Sequence, residues 1–129
     1  MSDIFLSIVI PAYNEKLRIS ETLAKTVRYL SRQNYSWEII VANDGSTDGT
    51  DDIVSASLSS NPNIKLLNLK HGGKGWAVKN GILNARGKYR FLVDADLSMP
   101  IEEISKFMPY WEKGFDIVIG SREVPGANR

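Results

Sequence analysis

Leu6-Ser7-Ile8-Val9-Ile10 runs directly into Pro11-Ala12-Tyr13-Asn14-Glu15. The first five residues are nearly continuous apolar text. A strand reads this way when helices cover both faces of its sheet, which is the setting of parallel sheets. The next five residues break the run with proline and turn polar. An apolar strand that ends abruptly in polar, turn-forming text is the unit that recurs along the chain.

Four further runs follow: Glu38 to Ala42, Ile64 to Leu69, Tyr89 to Val93 and Asp116 to Ile119. Helical spacing fills the intervals. Ile19, Leu23, Val27 and Leu30 lie on one helix face. Ala77, Gly81 and Ala85, beside Val78 and Ile82, form a small-residue face that lets a helix approach a sheet closely. Pro100 before Ile101-Glu102-Glu103 reads as a helix start, with Ile104, Phe107, Met108 and Trp111 as its buried stripe. Strand and helix alternate throughout, so right-handed crossovers build an α/β fold around an open, mostly parallel sheet with helices on both faces.

Composition narrows the function. The 129 residues make one domain, 43% hydrophobic and 24% charged. Sixteen Lys and Arg against fifteen Asp and Glu argue against broad nucleic-acid binding. The lack of Cys excludes disulfides, thiolate catalysis and cysteine zinc sites, and the single His71 excludes any site needing two histidines from one chain. No apolar run is long enough to cross a bilayer. Met1-Ser2-Asp3 has no basic region before the apolar segment, unlike a signal peptide. The expected compartment is the cytoplasm, with peripheral membrane contact open.

Ligands of open α/β sheets bind beyond the carboxyl ends of the strands. Here those ends carry Pro11 to Glu15, Asn43 to Thr50, Lys70 to Gly75, Asp94-Ala95-Asp96 and Gly120-Ser121-Arg122. The opposite turns, Gln33 to Ser36 and Ala85 to Lys88, look merely connective. Asp94 and Asp96 are hard oxygen ligands suited to Mg²⁺ or Mn²⁺ together with substrate phosphates, or else caps of the next helix. Asp44 is placed to accept an N–H from a base or sugar, or to close an Asx-turn onto Ser46. Asp48 reads as a helix cap. The glycines before Lys74 let backbone N–H groups face a phosphate, with Lys74 adding charge. The spacing is not that of a P-loop, and no Gly-x-Gly-x-x-Gly follows the first strand. Arg122 is either a diphosphate ligand or a surface charge. His71 reads as a rim residue, and Trp37, Trp76 and Trp111 as core.

Assembled in order, this text resembles the inverting GT-A nucleotide-sugar glycosyltransferases of family 2, and within them enzymes that glycosylate dolichyl or polyprenyl phosphate. The matching segments are Ser7 to Glu15, Val41 to Thr50, Gly73 to Gly81, Ala85 to Tyr89, Val93 to Pro100 and Gly120 to Arg122. The resemblance implies a Rossmann-like GT-A sheet. It implies that Pro11, Ala12, Tyr13, Asn14, Glu15, Asp44, Gly45, Lys74, Asp94 and Ala95 line the site of a UDP-sugar or GDP-sugar. It puts Mg²⁺ or Mn²⁺ on Asp96 with Asp94, and counts Asp94, Asp96 and Arg122 as catalytic. The implied reaction moves a hexose, glucose before mannose, to a dolichyl or polyprenyl phosphate with inversion. Two other readings stand beside it: an inactive nucleotide-binding or regulatory module, and a GT-A transferase acting on a saccharide acceptor. A response-regulator-like domain is excluded, because it needs an acidic pair after the first strand and an aspartate after the third.

The turn-like text from Val124 to Arg129 follows the fifth strand without a closing helix. Residues 1–129 are therefore expected to be the nucleotide-sugar-binding part of a larger GT-A domain, truncated at the carboxyl end. The resemblance places a strand from the missing part between the fourth and fifth strands. Without it, either self-association covers the open edge, the favoured outcome, or the fifth strand closes on the fourth.

Overall fold

A computed structural model describes residues 3–96, 100–107 and 117–120. In chain order the elements are β1 (Leu6–Ala12), α1 (Ile19–Ser31), β2 (Trp37–Asp44), α2 (Thr50–Ser57), β3 (Ile64–Leu69), α3 (Lys74–Asn84), β4 (Tyr89–Val93), a 3₁₀ helix (Ile101–Phe107) and β5 (Ile117–Gly120). Met108, Trp111, Arg122 and the segment from Val124 to Arg129 lie outside the described residues.

The five strands are parallel, in the order β3-β2-β1-β4-β5. Ile8 at the centre faces Ile39 on one side and Phe91 on the other. Alternation along the strands divides the core. Leu6, Ile8, Ile10, Ile39, Val41 and Phe91 pack with Ile19, Leu23 and Leu30 of α1 and Val54 of α2. Val9 and Ile40 face the other way, with Ala85. Each fully buried Ile or Leu contributes ~1.5–3 kcal/mol relative to an exposed one. Helix α3 lies close on this second face: a Cβ on Gly81 would stand 2.5 Å from Val9 Cγ1.

Two strands run further than their apolar text. β1 continues through Pro11 to Ala12, and β2 through Asn43 to Asp44. The pairing of β1 with β4 ends at Val9 opposite Leu92, while its pairing with β2 goes on to Ala12 opposite Asn43. Beyond Val9, β1 has one ladder neighbour among the described residues, and a residue without an N–H is tolerated. The extension carries the sheet under the polar rim.

The stretch after Pro100 forms a 3₁₀ helix over its described residues, with Ile101 and Ile104 buried. A spacing of three puts both on one side of a helix with three residues per turn. At the flank of β4, β5 pairs directly, Arg90 opposite Ile117 through Val93 opposite Gly120. Of the two outcomes expected for this flank, the structure shows the fifth strand closed on the fourth.

The turn after α3 does more than connect. Glu38, 2% exposed, accepts a hydrogen bond from Ser7 Oγ at 2.6 Å and from the Arg86 N–H at 2.7 Å. Lys65 Nζ lies 3.0 Å from its other oxygen, and the Gly87 N–H donates to Ser7 Oγ. One buried carboxylate thus joins the amino ends of β1, β2 and β3 to the turn before β4. Burial pushes this carboxyl up, but the bonds from Ser7, Arg86 and Lys65 together outweigh it and hold it below its ordinary value.

Candidate functional site

An open cleft of about 360 Å³ lies across the carboxyl ends of the strands, a size that suits a small-molecule ligand. Its walls are Pro11, Ala12, Tyr13 and Glu15 after β1, Asp44 at the end of β2, and His71, Gly73, Lys74 and Ala77 around the start of α3. Asp94, Ala95 and Asp96 after β4 complete it. Asn14 and Gly45, read from the sequence with this group, are not among its walls.

Asn14 braces two loops. It adopts the left-handed region at φ 53°. Its Oδ1 accepts the Thr47 N–H at 2.8 Å, and its own N–H donates to Ser46 Oγ at 2.9 Å. The Glu15 N–H donates to Thr50 Oγ1, and the Glu15 carboxylate pairs with Arg18. Asp48 is not the cap the sequence suggests: the N-cap of α2 is Gly49, without a side-chain cap bond, and Asp48 before it accepts the N–H of Thr50, the first residue of α2, and also the Lys16 N–H. The Thr50 hydroxyl is the foremost cause of a depressed Asp48 carboxyl pKa. Gly45 has φ 70°, and a Cβ there would stand 2.8 Å from the His71 backbone nitrogen. Only glycine lets the loops after β2 and β3 meet this closely.

Asp44 is 2% exposed. Its oxygens accept the Gly72 N–H at 2.8 Å and the Gly73 N–H at 2.9 Å, and His71 Nδ1 lies 2.9 Å from Oδ2. The Ser46 N–H expected to meet Asp44 is accepted instead by Asn43 Oδ1. A carboxylate has about four acceptor sites, so three protein donors leave Asp44 roughly one for a ligand.

At the other end, Lys74 Nζ lies 3.1 Å from Asp94 Oδ1. Lys74 opens α3, so its ammonium and the positive end of the helix dipole stand on the same rim. The turn between the two aspartates is tied to α1: the Thr22 hydroxyl donates to the Ala95 carbonyl, and Thr26 Oγ1 donates to the Thr22 carbonyl. Asp96 is the more exposed of the pair. Among the described residues no group of three or more His, Cys, Asp or Glu gathers to hold a metal by protein ligands alone. Two carboxylates fit Mg²⁺ or Mn²⁺ where phosphate oxygens and water supply the rest.

One aromatic reading changes and another is extended. Trp76, expected in the core, is 43% exposed; it donates its indole N–H to the Lys70 carbonyl, and a Cβ on Gly72 would stand 2.6 Å from its ring. His71, read as a rim residue, is joined to the cleft, with its ring stacked on Tyr13 at 4.5 Å between centroids. No periodicity signals contacts between Tyr13, Asp44 and His71, because they come from three separate segments of the chain. Trp37 is half-buried against the main core. No helix among the described residues is long and apolar enough to cross a membrane.

Residues 7–129 match Glycosyl transferase family 2. A dolichyl-phosphate beta-glucosyltransferase of Trichomonas vaginalis is 44% identical, over 81% of this chain and 33% of its own length. The chain spans 33–41% of the length of the curated relatives first matched. A mannosyltransferase from Pyrobaculum calidifontis in complex with GDP-Man and Mn²⁺ superposes with a TM-score of 0.62 at 27% identity, covering 74% of this chain and 28% of that one. S. aureus TarS 1-349 in complex with UDP-GlcNAc gives a TM-score of 0.61 at 26% identity, covering 83% of this chain and 32% of that one. The all-parallel sheet and its flanking helices thus match GT-A glycosyltransferases.

Proposed function

The chain belongs to glycosyl transferase family 2, and on that premise we propose that it forms the donor-binding part of an enzyme that transfers a hexose from a nucleoside diphosphate to a dolichyl or polyprenyl phosphate. The observation that carries this reading is the graded cleft. A buried acceptor, Asp44, stands at one end, and at the other Lys74, which opens α3, pairs with the first of two acids on a fixed turn. Base, diphosphate and ion fit that order. The similarity to a dolichyl-phosphate beta-glucosyltransferase supports glucose and a lipid phosphate.

The reaction is a displacement with inversion. A phosphate oxygen of the acceptor bonds to the anomeric carbon as the bond from that carbon to the nucleoside diphosphate breaks. The acceptor oxygen is already anionic, so no general base is needed, which suits a cleft whose one histidine is bonded to Asp44. Mg²⁺ or Mn²⁺ on Asp96, with Asp94, would supply neutralising charge to the departing diphosphate. Lys74 adds a cation at the same place, and the amino terminus of α3 offers N–H donors. Arg122 is assigned to phosphate or acceptor binding. A lipid acceptor brings the site to a membrane surface.

Titration calorimetry of UDP-glucose and GDP-mannose, with and without Mn²⁺, tests the reading. UDP-glucose should bind more tightly of the two, and Mn²⁺ should strengthen it. Binding of neither in the presence of Mn²⁺ overturns the assignment.

A further inference from the structure

We propose that His71 is the positioning residue of the nucleobase end of the donor site, an inference that rests on the donor reading above. His71 Nδ1 lies 2.9 Å from Asp44 Oδ2 and 3.0 Å from the Asp44 carbonyl. Both partners are acceptors, so Nδ1 carries the ring proton and donates it. The same ring stacks on Tyr13, centroids 4.5 Å apart with planes 29° from parallel. One side chain therefore sets two features at once: the direction in which the Asp44 carboxylate presents its remaining acceptor site, and the attitude of a half-exposed aromatic ring beside it.

The exposures fit this division of labour. The Asp44 side chain is 3% exposed and the His71 side chain 57%. The acid is fixed and buried, whereas the ring that orients it reaches the cleft. Tyr13 and His71 are already in contact, so no base enters between them. A base instead meets the outer side of this stacked pair, with its N–H edge toward Asp44. The backbone supports the arrangement from below. Gly45 permits the close approach of the His71 segment, and Gly72 and Gly73 occupy the other Asp44 acceptor sites.

The two contacts can be separated by substitution. His71→Phe keeps a ring to stack on Tyr13 and removes the donor to Asp44. His71→Asn keeps a donor and removes the ring. Calorimetry with UDP and with inorganic pyrophosphate, each with Mn²⁺, distinguishes positioning from a general disturbance of the loop, because Gly73 and Lys74 lie just two and three residues after His71. His71→Phe should weaken UDP roughly three- to tenfold, the span of one net hydrogen bond, and leave pyrophosphate unchanged. His71→Asn should recover part of that loss. In wild type, the ¹⁵N shifts of the His71 ring should move with UDP and not with pyrophosphate. Equal losses for both ligands, or no loss for either, overturn the positioning role while leaving the donor reading intact. A wild-type chain that binds pyrophosphate but neither UDP nor GDP overturns the donor reading, and this proposal with it.

Discussion

Truncating Asp44 to alanine should destabilise the fold as well as the site. The carboxylate holds the Gly72 and Gly73 N–H groups at 2.8 and 2.9 Å and His71 Nδ1 at 2.9 Å, so three donors lose their acceptor. A hydrogen bond to a charged group is worth ~1.5–3 kcal/mol. Two effects reduce the sum. Gly72 and His71 are exposed and Gly73 half-buried, so water replaces part of what is lost. Removing a buried charge also returns some of its desolvation cost. A net loss of about 2 kcal/mol results, large against the ~5–15 kcal/mol typical of a whole domain. Urea denaturation should show the midpoint falling by roughly 1 M with an unchanged slope. Amide exchange at Gly72 and Gly73 should accelerate. Asp44→Asn should fare little better, because an amide nitrogen would face a backbone N–H. An alanine variant whose midpoint stays within about 0.2 M of wild type, given the usual slope, would refute the anchoring role.

Three further outcomes are expected. Because the folded Glu38 carboxyl lies below its ordinary value, the stability it gives is complete above about pH 4.3 and is lost as pH falls through the lower folded value; Glu38→Gln should flatten that acid limb in thermal melts, and an unaltered limb would contradict the assignment. Gly81→Ala should cost about 1–2 kcal/mol despite alanine's better helix propensity, because its Cβ meets Val9. Gly75→Ala, with nothing within 4 Å of the new Cβ, should be neutral or stabilising, and equal unfolding midpoints for the two variants would contradict the packing argument. Thr22→Val removes the donor to the Ala95 carbonyl and should weaken Mn²⁺-dependent UDP binding, with recovery in Thr22→Ser; unchanged binding by the valine variant would show that the acidic turn holds itself.

The strands were legible because helices cover both faces and leave continuous apolar text. Their carboxyl ends were not. Asn43 and Asp44 are polar, and pairing with Ala12, Asn68 and Leu69 makes them strand. The acidic turn was legible because Phe91-Leu92-Val93 ends in it, whereas its tether to Thr22, 73 residues away, leaves no local trace. The same holds for His71, whose partners lie on the loop after β1 and at the end of β2. Asp44 was found as a site residue, but its protein donors come from a loop 27–29 residues on, which spacing within one segment does not report. Trp76 was misread because large aromatics are usually core, while here the ring covers a glycine of the β3–α3 loop. The pairing of β5 with β4 depends on which strands are available to compete, a property of the whole sheet.

Paramagnetic broadening of amide NMR signals by Mn²⁺ added with UDP is the most direct test of the donor site. The account predicts that signals of residues 94–96 are lost first, with Lys74 and Gly75 next, and that Asp96→Asn abolishes the effect while UDP alone still shifts Gly72 and Gly73. Broadening that centres elsewhere, such as on Asp51 and Asp52 at the start of α2, or that persists unchanged in Asp96→Asn, would contradict it.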